Sequence, residues 1–155
     1  MNDNASEITD YSKEIEDLFI NFMVSKPDLF VRCKGILKSD YFDNKQNKDA
    51  MAFIEGYSTD FSCIPALEQV KAVTGKEISL MPVEAAVHEN WFLREIELFC
   101  RYKALRDAIL ASPDLLDEGR YGEVETAVKA AVQIALVKDL GLDYYADPKT
   151  RLEAL

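Results

Sequence analysis

Between Pro82 and Leu140 the apolar residues fall into two series at helical spacing, divided by a polar break. The first, Val87, Trp91, Leu98, Phe99, Tyr102, Leu105 and Ile109, predicts a helix from Val83 to about Leu110. The second, Val124, Ala127, Val128, Ala131, Val132, Ala135 and Leu136, uses smaller side chains and predicts a helix from Tyr121 to about Leu140. Ser112-Pro113-Asp114-Leu115-Leu116-Asp117-Glu118-Gly119 lies between them and carries turn-forming residues. Two arms joined this way are expected to fold back as an antiparallel hairpin, large apolar residues on one arm meeting small ones on the other.

Upstream the pattern is helical but shorter in range. Ile15, Leu18, Phe19, Phe22 and Met23 share one face of a helix spanning Tyr11 to Val24, with Asp10 or Ser12 as its cap and Glu14, Glu16 and Asp17 near its positive end. Pro27 opens a second short helix through Leu29, Phe30 and Cys33, which Gly35 ends. The stretch Ile36-Leu37-Lys38-Ser39-Asp40-Tyr41-Phe42 shows no period and is expected to pin a loop to the core through its four large apolar residues. Helical spacing resumes from Lys48 to Tyr57, and again from Pro65 to Val73, where Thr74-Gly75 forms a glycine C-cap. Strand signals are scarce, so the fold class is all-α: a compact multi-helix head of about five short helices, followed by the hairpin. The expected division is a disordered tail over 1–10, a head over 11–81, the hairpin over 82–140 and the start of a linker over 141–155. Because Arg151-Leu152-Glu153-Ala154-Leu155 stops in mid-period, more domain is expected to follow.

Composition narrows the function. A chain of 155 residues can bury a real core, and no apolar run approaches the ~20 residues that cross a bilayer. The acidic amino terminus lacks the basic and apolar regions of a secretory signal, so a cytoplasmic location is expected. With 28 acids against 18 bases the formal charge is -10, which repels a phosphate backbone and disfavours autonomous nucleic-acid binding. Cys33, Cys63 and Cys100 are far apart and set among apolar residues, and are expected to be buried free thiols.

Candidate chemistry is thin. Thr74-Gly75-Lys76 resembles part of a phosphate-binding loop, but Val70 stands where its first glycine is needed and Glu77 where a Ser or Thr must hold magnesium. His88 has Glu84, Glu89 and Glu95 nearby but no second histidine, since position 92 is Phe; a surface histidine is expected. No nucleophile, base and oxyanion donor can be assembled by spacing, so no catalytic, metal or cofactor site is expected in these residues. Trp91 and Phe92 point about 100° apart on a helix and are not expected to face one core. One of them is a candidate interface anchor, a role in which Trp is enriched.

Taken in order, the elements resemble the N-terminal domain of DnaB-like hexameric replicative helicases, phage-encoded ones included. The resemblance rests on Glu14-Ile15-Glu16-Asp17-Leu18-Phe19 with Met23, then Pro27-x-Leu29-Phe30 and Leu37-Lys38-x-x-Tyr41-Phe42. It continues through Ile54, Leu67-Glu68-Gln69-Val70 and a long arm carrying Arg94, Arg101 and Arg106, covering about Ser12 to Leu140. It implies an oligomerisation and partner-docking domain whose hairpins pair between copies into a collar, a trimer of dimers, that helps dock primase or a helicase loader. ATP and magnesium would belong to a separate ATPase domain, and DNA would be engaged only through the full-length ring. The implied contact residues here are Trp91, Phe92, Leu98, Tyr102, Leu105, Val124, Val128 and Val132. The alternative is a free-standing helical adaptor or phage regulatory protein that binds a host protein through the same hairpin.

Overall fold

The computed structural model describes residues 11–83 and 86–135. The expected tail over 1–10 and linker over 141–155 lie outside them, as does the far end of the second hairpin arm. The described residues form six α-helices and one 3-10 turn, with no strand among them: α1 (Lys13–Ser25), α2 (Pro27–Cys33), the 3-10 turn (Ser39–Tyr41), α3 (Lys45–Phe61), α4 (Leu67–Thr74), α5 (Ala86–Asp117) and α6 (Tyr121–Val132). The all-α expectation is met. The chain divides into two compact units, Met1–Phe99 and Cys100–Leu155.

The first unit is built around phenylalanines. Phe99 on α5 is fully buried, with Tyr11 edge-on at 5.0 Å between ring centroids and Phe19 and Phe42 each at 5.2 Å. Leu29, Phe30, Cys33, Met51 and Ile54 complete the core from α2 and α3. Leu37, Tyr41 and Phe42 are buried, as expected of a loop pinned to that core.

One carboxylate organises the entry to α3. Glu16 on α1 is buried and accepts the backbone N–H groups of Asp43 at 2.7 Å and Asn44 at 3.2 Å, and the side-chain amide of Asn47 at 3.2 Å. Asn44 caps the helix by accepting the N–H of Asn47 at 3.0 Å. A helix start leaves four N–H groups without intrahelical partners, and an anion there meets both that need and the dipole. This entry lies three residues before the expected start at Lys48. At its other end α3 passes through Gly56 and Ser58 and stops where Ser62 takes a left-handed φ of 62°.

Three further features differ from the sequence reading or settle it. Thr74-Gly75-Lys76 is a helix terminus: Gly75 has φ 80° and donates its N–H to Lys71. Lys76 is buried and pairs with Asp17, which Lys13 also reaches at 2.8 Å. Cys63 is exposed, contrary to expectation, because α3 ends at Phe61 and leaves Cys63 in the connection to α4; Cys33 and Cys100 are buried. Burial pushes the Cys33 thiol up to about 12.

In the second unit α5 does not break at Ser112. It continues through Pro113 to Asp117, and Ser112 donates its hydroxyl to the Ala108 carbonyl at 2.7 Å. The stop is Gly119 at φ 75°, whose N–H goes to Leu116 at 3.0 Å while the N–H of Arg120 goes to Leu115 at 2.8 Å. This crossed pair of bonds is a Schellman cap. The chain then reverses: Arg101 donates to the Ile134 carbonyl from Nε at 3.1 Å and Nη2 at 2.7 Å, joining residues on opposite sides of the turn. The expected antiparallel hairpin is present, with a three-residue connection, Glu118 to Arg120, in place of an eight-residue one.

Candidate protein-interaction surface

The part of α5 in the second unit, Cys100 to Asp117, has two kinds of position. Cys100, Lys103 and Ala108 are buried, and Leu105, Ser112 and Leu115 are half-buried. On α6 Ala131 is buried and Val124, Ala127 and Val128 are half-buried. Small residues at such positions let two helix axes approach closely.

Tyr102, Ile109 and Leu116 behave differently: they stay 46%, 57% and 49% exposed. They lie seven residues apart, two helical turns each, so they form one stripe along about 21 Å of helix. Leu110, beside Ile109, is also exposed, as is Tyr121 at the start of α6. Three large apolar side chains at heptad spacing make the surface on which another helix can lay its own apolar face.

The charges along this stretch are segregated. Arg101, Lys103 and Arg106 precede Asp107, Asp114, Asp117 and Glu118. Lys103 is buried with its ammonium 5.9 Å from the centre of the Tyr102 ring, and Arg106 meets Asp107 at 3.4 Å. At the turn Arg120 clamps Glu123 through Nε and Nη2, both at 2.6 Å, and Glu118 through Nη1 at 2.7 Å. The glutamate hydrogen bonds raise the Arg120 pKa further above its ordinary value.

The eight contact residues implied by the resemblance are placed as follows. Tyr102, Leu98 and Val132 are exposed, and Leu105, Val124 and Val128 are half-buried. Trp91 is half-buried in the first unit, 5.8 Å from Phe22. Phe92 is fully buried, stacked on Phe22 at 5.3 Å and edge-on to Phe19 at 6.0 Å. The two aromatics were not expected to face one core, yet both meet α1, because Phe22 lies between them. Phe92 is therefore a core residue of this fold. The contact set implied by the resemblance does not include Ile109 or Leu116; Leu116 lies in the segment Ser112 to Gly119, whose turn-forming residues predict a break where α5 in fact continues.

His88 is exposed. Among the described residues no group of three or more His, Cys, Asp and Glu is placed to hold a metal ion, and no helix is long and apolar enough to cross a membrane. In comparisons with known proteins, no family model, no curated protein and no solved structure matches the chain.

Proposed function

We propose that this chain is an oligomerisation and partner-docking module, and that it serves as the N-terminal collar domain of a replicative DNA helicase. The exposed stripe Tyr102, Ile109 and Leu116 on the hairpin supports this reading most. Water penalises such a stripe by about 25 cal/mol for each Å² of apolar surface left uncovered, and a second hairpin removes the penalty on both copies at once. Antiparallel pairing sets the end carrying Arg101 and Arg106 against the end carrying Asp114 and Asp117 of the other copy. Parallel pairing sets like charges side by side, so the antiparallel arrangement is favoured. A specific contact of this kind buries about 1,600 Å² in all.

In this role the chain is a scaffold. Nucleotide hydrolysis and strand separation belong to an ATPase domain, and the hairpin surface left outside the dimer receives primase or a loader. Light scattering of the chain, alone and with the purified primase of the same replication system, tests the reading. The expected result is a mass of at least two chains, with a further increase when primase is added. A monomer that takes up no primase contradicts it.

A further inference from the structure

A groove in the first unit lies between α2 with the segment that follows it and the C-terminal half of α3, with a volume of about 520 Å³. Phe30 and Leu37, both buried, lie at its floor. Gly35, Ser39 and Asp40 line one side, and Glu55 lines the other from α3, its carboxylate hydrogen-bonded by the side chain and the backbone of Ser39. Lys34 and Lys38 are exposed at the mouth. The Lys38 ammonium lies 5.9 Å from the centre of the Tyr41 ring, and among the described residues no lysine or arginine forms an ion pair with Glu55 or Asp40. A half-buried carboxylate thus lines a cavity of ligand size, bonded to Ser39 but with no cation beside it.

We propose that this groove binds one cationic side chain, the guanidinium or ammonium of an arginine or lysine on a partner polypeptide, with Glu55 as its ion-pair partner and the apolar floor against its aliphatic stem. This goes beyond the hairpin reading and does not depend on it. Burial raises the Glu55 carboxyl above the ordinary carboxylate range, and the charge of Asp40 adds to the rise while Ser39 opposes it. Ionised Glu55 therefore costs the fold stability that an entering cation returns, a pattern typical of binding sites. Lys34 and Lys38 at the mouth disfavour a polycation and leave room for a single charge on a long stem.

Gly35 supplies a clean probe. A Cβ built there meets nothing within 4 Å, and its φ is not in the left-handed region, so Gly35→Leu adds a large side chain to the groove's lining without straining the backbone. The experiment is an amide chemical-shift titration of the full chain at neutral pH with N-acetylarginine methylamide, its uncharged citrulline counterpart and spermidine. The arginine probe is expected to give saturable shifts at Gly35, Ser39, Glu55 and Thr59, with none from the citrulline compound and weaker ones from spermidine. Glu55→Gln is expected to weaken arginine binding about tenfold or more. The same variant should raise the melting temperature at neutral pH, which separates lost binding from lost folding. Gly35→Leu should abolish the shifts, and Ile109→Glu on the hairpin should leave them intact. Equal shifts from the citrulline probe, unchanged binding by Glu55→Gln, tighter binding of spermidine, or no saturable shift would each overturn the proposal.

Discussion

Glu16 on α1 accepts the backbone N–H of Asp43 at 2.7 Å, across 27 residues of sequence, and so fixes where α3 begins. Removing the side chain leaves the N–H groups of Asp43 and Asn44 without their acceptor in a part-buried site. Glu16→Ala is expected to lower unfolding stability by on the order of 3 kcal/mol. Glu16→Gln keeps the shape and one acceptor oxygen and should cost roughly half as much. Urea unfolding monitored by circular dichroism measures both; equal stability of wild type and Glu16→Ala would remove this carboxylate from the account of α3.

Asp17, the next residue, gives the fold a pH dependence. Burial pushes its carboxyl up, but the hydrogen bonds from Lys13 and Lys76 outweigh burial and hold it below the ordinary carboxylate value. A carboxyl with a depressed pKa in the fold stabilises it fully above the unfolded value of about 3.9, and that stabilisation fades as pH falls through the folded value. Asp17→Asn is therefore expected to be less stable than wild type at pH 7 by on the order of 1 kcal/mol. The difference should shrink in acid once both pKa values are passed. Thermal unfolding from pH 7 down to 3 checks this, and a difference independent of pH would contradict it.

Two glycines of the second unit should respond to alanine in opposite directions. Gly119 holds φ 75°, a conformation in which a Cβ crowds the following carbonyl, so Gly119→Ala should cost about 1 kcal/mol. Gly122 sits inside α6, and a Cβ there meets nothing within 4 Å. Alanine at that position should stabilise by roughly 0.5–1 kcal/mol, through the lower conformational entropy of the unfolded chain. Melting temperatures of the two variants, measured side by side, decide the matter.

How much of this could be read from the sequence varied with the range of the force involved. Local chemistry was legible: the Ser12 cap of α1, Pro27 opening α2 and the Gly75 terminus all stand where the residues placed them. Pro113 misled, because its lost N–H costs one hydrogen bond near a helix end, while the backbone conformation that ends α5 is supplied six residues later by Gly119. The sequence places Glu16 near the positive end of α1 and says nothing of its burial, since the amides that meet it come from residues 43 and 44. Phe92 belonged to the same difficulty: its burial depends on Phe22 standing between it and Trp91, which no spacing rule on α5 contains. The groove around Glu55 left no sequence signal, being assembled from three separate segments.

The stripe on α5 has a direct consequence for salt. If segregated charge orients two hairpins, screening should weaken but not abolish association, because the apolar contact remains. Raising sodium chloride from 50 mM to 500 mM should loosen a self-complex by a few-fold. Tightening with salt would mean that charge opposes pairing in place of orienting it.

Sedimentation velocity of the full chain over a micromolar concentration series, wild type against Ile109→Glu, tests the central claim most directly. The stripe predicts that wild type shifts from one chain to a multiple as concentration rises, and that the glutamate variant, with the helical content of wild type, stays a single chain throughout. A wild type that sediments as one chain across the series, or a variant that associates as strongly as wild type, would contradict it.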